Sequence, residues 1–199
     1  MDLFKLIIVG IGLFIFSCNQ NEKKSIPIAE VEIETLDKGK AQLQHMVREL
    51  YEWFETQNPA GDFYPVTDED SHHYIGLDLQ KHNNKLNELR QTNFFANEFL
   101  NDYNQITLMI HEKLNNKELE WLVGDLPPFG NGANPWCNCQ DTPNNYWQLI
   151  TIDEISFENN ISTFTWSWGG DFNYEAKAVW ENDGWKILYL EGFDVNEFI

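Results

Sequence analysis

The sequence predicts an α+β domain in which N-terminal helices pack on a curved antiparallel sheet of about four strands. Three observations lead there. Apolar side chains recur every third or fourth position as far as about residue 115, the period of a helix. From about residue 147 they alternate, the period of a half-buried strand. Residues 124–145, between the two, hold four prolines and three glycines and read as one long loop.

The first helix is predicted over residues 38–57. Leu43, Met46, Val47, Leu50 and Phe54 fall at i, i+3, i+4, i+7 and i+11 and make one apolar stripe. Asp37 can cap it, Gly39 weakens its first turn, and Asn58-Pro59-Ala60-Gly61 ends it. Residues 77–90 read as a second, more polar helix. Residues 92–115 read as a third, capped by Thr92 or Asn93, with Phe95, Phe99, Leu100, Tyr103, Ile106, Ile110 and Leu114 on its buried face. Residues 117–122 add a short helical turn.

Strands are predicted over residues 147–157, 161–168, 172–180 and 185–190. Turns fall at Asn159-Asn160, Gly169-Gly170-Asp171 and Asn182-Asp183-Gly184, the last a strong hairpin signal. Phe164, Trp166 and Trp168 share one face of their strand; Phe172, Tyr174, Ala176, Ala178 and Trp180 share one face of the next.

The amino terminus carries an address. Lys5 supplies a positive start, and residues 6–16 form an apolar run of 11 residues. A membrane-spanning helix needs roughly 20; the core of an export signal needs roughly 7–15. Ile15-Phe16-Ser17-Cys18 then resembles the lipobox of bacterial lipoproteins. That resemblance implies a signal peptide over residues 1–17, a diacylglyceryl thioether on Cys18 and an acylated new amino terminus, so that the membrane is reached through a lipid anchor. Two or more acyl chains hold a protein stably where one does not. A plain secreted protein cut nearby is the alternative. Asn19, where an Asp would resemble an inner-membrane retention signal, favours the outer membrane of the cell envelope and leaves the side open. Residues 18–37 read as the lipidated Cys and a flexible tether, residues 38–199 as a single domain.

Composition narrows the partners. Thirteen basic residues against 32 acidic ones give the 199-residue chain a net charge of −19. Removal of residues 1–17 takes one Asp and one Lys, so the exported chain keeps that charge. Nucleic acid is disfavoured as a partner, because phosphate binding needs a basic face. Electrostatic adhesion to anionic lipid is disfavoured equally. The 15% aromatic content is that of a packed domain and not of a disordered chain.

The order of elements resembles the nuclear transport factor 2-like superfamily, in which helices fill a cone formed by a curved sheet. More narrowly it is similar to an uncharacterised family of bacterial lipoproteins within that superfamily. The residues that carry the resemblance are Leu50-Tyr51-Glu52-Trp53-Phe54, then Thr92-Asn93-Phe94-Phe95 with Phe99 and Leu100. Asp125-Leu126-Pro127-Pro128-Phe129, Cys139-Gln140-Asp141, Tyr146-Trp147 and Gly184-Trp185-Lys186-Ile187 follow in order, so the likeness spans residues 43–190. It implies a ligand or partner pocket at the open end of the cone and no particular activity. The best-known enzyme chemistry of the superfamily pairs a carboxylate base with a Tyr and a protonated carboxylic acid. Asp153, Asp171, Tyr103 and Tyr174 are of the right types, but no motif gives them roles.

Four sets of residues are site candidates. Six of the eight tryptophans lie in the loop-and-sheet half, and Trp136, Tyr146, Trp147, Trp166 and Trp168 are the candidate ligand-binding aromatics, against a reading in which they pack the core. Trp136, between Pro135 and Cys137, is the one expected to be exposed. Cys137 and Cys139 can form a small-ring disulfide, serve a redox or metal-binding loop, or remain incidental thiols. Thr67-Asp68-Glu69-Asp70-Ser71-His72-His73 gathers carboxylates and imidazoles but reads as a solvated acidic loop, without the spacing of a calcium site. His45, His82 and His111 show no i, i+4 metal pair and read as surface or satisfied residues. No cofactor fingerprint, P-loop, G-x-S-x-G or H-E-x-x-H motif occurs, so neither metal nor cofactor is expected. The leading reading is a binding module for a small ligand near residues 124–145. An acidic inhibitor or immunity-like partner of a basic protein is the alternative, and an isomerase- or hydrolase-like enzyme is the third.

Overall fold

The computed structural model describes residues 28–57, 61–70, 72–170, 172–196 and 198. In chain order the elements are α1 (Ile28–Gln57), β1 (Pro65–Thr67), β2 (Tyr74–Leu77), α2 (Leu79–Thr92), α3 (Asn97–Asn115), β3 (Thr151–Glu158), β4 (Ile161–Ser167), β5 (Tyr174–Glu181) and β6 (Gly184–Leu190). The helices precede a four-stranded antiparallel sheet of order β3-β4-β5-β6, which is the α+β class. The expected export signal, Cys18, the expected tether up to residue 27, Pro59 and Asp171 lie outside the described residues. Among those described, no helix is long and apolar enough to cross a membrane.

The first helix begins at Ile28 and not at Lys38, so the second half of the predicted tether is helical and Asp37 lies inside the helix instead of capping it. Neither Pro nor Gly interrupts residues 28–37, and Glu, Ala and Leu favour helix there. The predicted stripe is the buried one: Leu43, Val47 and Leu50 are fully enclosed. Burial of each such side chain contributes roughly 1.5–3 kcal/mol. Gly39 turns out to be a contact point, since a Cβ there would stand 2.9 Å from the Phe157 ring of β3.

The boundary between α2 and α3 also differs from expectation. Asp78, not Leu77, starts α2, accepting from the Gln80 and Lys81 amides. Neither Thr92 nor Asn93 caps α3. Asn93 ends α2 in the left-handed conformation, at φ 63°, which Asn tolerates better than most residues. Phe94 and Ala96 then dock on the β6 edge through Ile187 N→Phe94 O and Ala96 N→Ile187 O, each 2.8 Å. An otherwise open sheet edge is thereby covered. Residues 117–122 form no helix; they pair with the β1–β2 hairpin through Tyr74 N→Trp121 O and the His73–Leu122 bridge. That hairpin was not anticipated.

The inner face of the sheet carries Ile152, Phe164, Trp166, Tyr174, Ala176, Ala178, Ile187 and Leu190, all buried. Trp180, expected on the same face, is exposed at the hairpin end and packs edge-on against Trp185. Register shifts at Asp153/Ser156 and Lys177/Ala178 bend the outer strand pairs. Asn182 and Asp183, at φ 51° and 64°, make the two-residue turn into β6 that matches the natural twist of a hairpin. Trp147 does not open a strand: it sits in a short 3-10 turn, Tyr146–Leu149, ahead of β3.

Candidate functional site

Two tyrosine hydroxyls fix the long loop to the core at the Pro135-Trp136 dipeptide. Tyr174 Oη donates to Pro135 O at 2.6 Å, and Tyr51 Oη donates to Trp136 O. Gly192 N in turn donates to Tyr174 Oη at 2.9 Å. A Cβ on Gly192 would meet the Pro135 carbonyl at 1.9 Å, so only glycine allows this approach. Cys137 and Cys139 are joined by a disulfide just beyond the anchored dipeptide.

This anchoring turns Trp136 inward. It was expected to be exposed, and it is 0% exposed. Its ring packs against Phe54, Phe95, Phe99 and Phe193. Its Nε1 donates to Asp62 Oδ2 at 2.7 Å, while Tyr103 Oη donates to Asp62 Oδ1 at the same distance. Phe63 stacks on the Tyr103 ring at 5.7 Å. Its positive φ, 52°, lets two consecutive side chains, Asp62 and Phe63, reach one tyrosine; in an extended strand they would point to opposite sides.

Asp62 is therefore partly exposed as a residue while its carboxyl group is held inward. Burial pushes its pKa above the usual carboxylate range. The donors Tyr103 and Trp136 and the charges of Lys85 and His82 oppose that rise. Lys85 and His82 lie on the enclosed side of α2, each 2% exposed, and burial lowers the pKa of both. His82 Nε2 pairs with Asn104 Oδ1 at 3.0 Å and its ring stacks on Tyr103 at 5.5 Å. Tyr103 is pushed well up by burial and by the neighbouring carboxylate.

A cavity of ≈330 Å³ opens above Asp62, between the end of α1 and the loop. Phe54, Phe63, Phe129, Ala133 and Phe198 line it with Asp62. Phe63, Phe129 and Phe198 also pack on one another at 5.4–5.6 Å, which makes their side of it rigid. A second cavity, ≈640 Å³, lies beside the hairpin against His73, Tyr74, Glu120 and Trp121. The side chains of His73 and Glu120 are 48% and 80% exposed, so water competes for whatever they could hold.

None of the five candidate aromatics lines the first cavity. Trp136 lies beneath it, through Asp62. The other four form a separate cluster near β4. Trp166 is enclosed against Tyr51 at 4.5 Å, Trp168 stacks on Phe172 at 3.8 Å, and Tyr146 meets Trp168 at 4.9 Å and Trp147 at 6.0 Å. Tyr146 Oη is spent on Glu55 at 3.1 Å. Asp153 is exposed and Tyr174 is committed to the loop, so neither meets Tyr103 in one site. In the acidic loop, Asp68 Oδ1 accepts from the His72 and His73 amides and shapes the hairpin connection. Among the described residues, no group of three or more His, Cys, Asp or Glu side chains is placed to hold a metal ion.

Asp62, Phe63, Phe129 and Phe198 escaped sequence reasoning because they come from three separate segments without a shared period. One signal was present. His82, Lys85, Leu86 and Leu89 fall at i, i+3, i+4 and i+7, so the apolar stripe of α2 carries two ionisable residues, which need partners inside. Compared with known proteins, the chain matches no protein-family model, no curated protein and no solved structure.

Proposed function

We propose that the protein is a lipid-anchored cell-envelope binding module, of the nuclear transport factor 2-like kind, which takes a small ligand in the cleft between α1 and the loop of residues 124–145. One observation carries the reading: a largely apolar cavity of ≈330 Å³ with a single ionisable lining residue, Asp62, among the described residues. Small-molecule sites have this make-up, mostly apolar walls with few fixed polar groups. The polar group is pre-oriented, since Tyr103 and Trp136 fix both carboxyl oxygens. The anchor rests on the Ile15-Phe16-Ser17-Cys18 motif.

The site is tested with small aromatic probes, 2-phenylethanol among them, titrated calorimetrically into the full-length protein. Binding is expected, and Ala133→Trp, which fills the cavity from its loop wall, is expected to abolish it. Absence of binding by every probe, or binding untouched by the filled cavity, overturns the reading. The anchor is tested by Cys18→Ala, which should leave a soluble or uncleaved precursor; normal membrane fractionation would refute it.

A further inference from the structure

We infer that the ligand of this cleft is a small organic cation, an amine or quaternary ammonium carried on an apolar body. The inference rests on the small-ligand reading above and names its chemistry. Four phenylalanines, Phe54, Phe63, Phe129 and Phe198, line the same small space as Asp62, whose carboxyl group lies at its floor on Tyr103 and Trp136. Aromatic rings attract a cation through their quadrupole and do not attract an anion. A desolvated carboxylate adds a charge-assisted hydrogen bond to any N–H donor. Together they form a box that rejects anions and gives a neutral alcohol a hydrogen bond but neither the ion-pair nor the cation–π attraction of an amine.

The state of the carboxyl group fits that use. Among the described residues its hydrogen-bond partners, Tyr103 and Trp136, are neutral donors, so each oxygen keeps acceptor capacity. The internal cation, Lys85, is enclosed on α2 against Glu88, at 3.9 Å, and against the Trp53 ring, at 5.8 Å; it does not line the cavity. The charge of Lys85 therefore eases the burial of Asp62 without lining the cavity. The −19 charge of the whole chain raises the local concentration of any cation near the cleft.

Three probes of one shape separate the alternatives: 2-phenylethylamine, 2-phenylethanol and phenylacetate, each titrated calorimetrically into the full-length protein. The amine is expected to bind roughly tenfold or more tightly than the alcohol, and the acid most weakly. Asp62→Asn, which keeps the shape and removes the charge, is expected to close the gap between amine and alcohol. Equal binding of amine and alcohol by the unaltered protein overturns the cation assignment and leaves the small-ligand reading standing. Binding of none of the three overturns both. A gap that persists in Asp62→Asn assigns the preference to the general surface charge and also overturns the inference. Should that variant fail to fold, the unaltered protein is titrated at low and at high salt. A gap that survives salt supports the enclosed carboxylate, and one that collapses refutes it, because salt screens exposed charges far more than enclosed ones.

Discussion

Trp136 is gripped from two sides by different chemistry. On the sheet side, Tyr51 of α1, whose ring packs on Trp166, and Tyr174 of β5 donate hydroxyl protons to the main-chain carbonyls of Trp136 and Pro135. On the helix side, Asp62 accepts the indole N–H, with Tyr103 as its second donor. The sheet-side bonds are neutral and indifferent to which side chain stands at position 136. The helix-side bonds depend on an indole and on a carboxyl group that titrates and that lines a cavity. The first grip holds the loop, and the second holds a polar group beside the ≈330 Å³ cavity. The loop is thus held by tyrosine-to-carbonyl bonds on one side and by a carboxyl group on the other.

The largest expected effect comes from removing the side chain that the helix-side grip holds. Trp136→Ala deletes a fully buried indole and leaves the Asp62 carboxyl one donor short, and it should cost about 4 kcal/mol in chemical denaturation. Trp136→Phe, which retains the ring volume better, should cost about half of that. Gly192→Ala attacks the sheet-side grip alone. Its Cβ would overlap the Pro135 carbonyl, which no rotamer change relieves, so a loss of about 3 kcal/mol is expected in the same assay.

A smaller effect sharpens the contrast. Tyr174→Phe and Tyr103→Phe each remove one hydroxyl, at a cost of about 1–3 kcal/mol. The penalty for Tyr174→Phe should not depend on Asp62 titration, because its partners are a carbonyl and an amide. The penalty for Tyr103→Phe should grow with pH. Burial raises the Asp62 pKa in the folded chain, so the stability linked to this group is full below the ordinary carboxylate pKa and is lost as pH rises through the folded value. The Tyr103 bond favours the charged form, so its loss is felt most once Asp62 ionises. Denaturation midpoints of both variants across the acid range check this, and parallel curves would remove the distinction between the two grips.

The smallest effect concerns His82, on the helix side only. Burial lowers its pKa from 6.5, so the stability linked to it is present above that pH and is lost as pH falls through the folded value. His82→Gln should flatten this part of the stability profile, as read from thermal melts on either side of pH 6.5.

The periodicities predicted the burial well and the boundaries less well. Leu43, Val47 and Leu50 on α1, and Phe99, Tyr103, Ile106 and Ile110 on α3, are buried as their spacing requires. Spacing is a local property, and a stripe on a helix has one way to hide. Trp136 shows the opposite case. Pro and Cys neighbours in a loop suggest exposure, but Tyr51, Tyr174 and Asp62, distant in sequence, draw it inside. The aromatic residues near β4 are legible as a group, but spacing leaves two readings of them open, because a tryptophan of a sheet core and one of a binding platform have the same local pattern.

By itself the sequence determined the α+β order of elements, the acidic character of the chain, the lipobox-like motif and the switch of period after the loop. These follow from composition and from spacing along one segment. Tertiary structure alone decided that Cys137 and Cys139 are bridged, that Gly192 stands against Pro135, and that Asp62 meets Tyr103 and Trp136 beneath a phenylalanine-lined cavity. Those three residues are far apart in the chain. What joins them is the need of a buried carboxyl group for donors, and only the packed arrangement of helices and loop decides which donors come within reach.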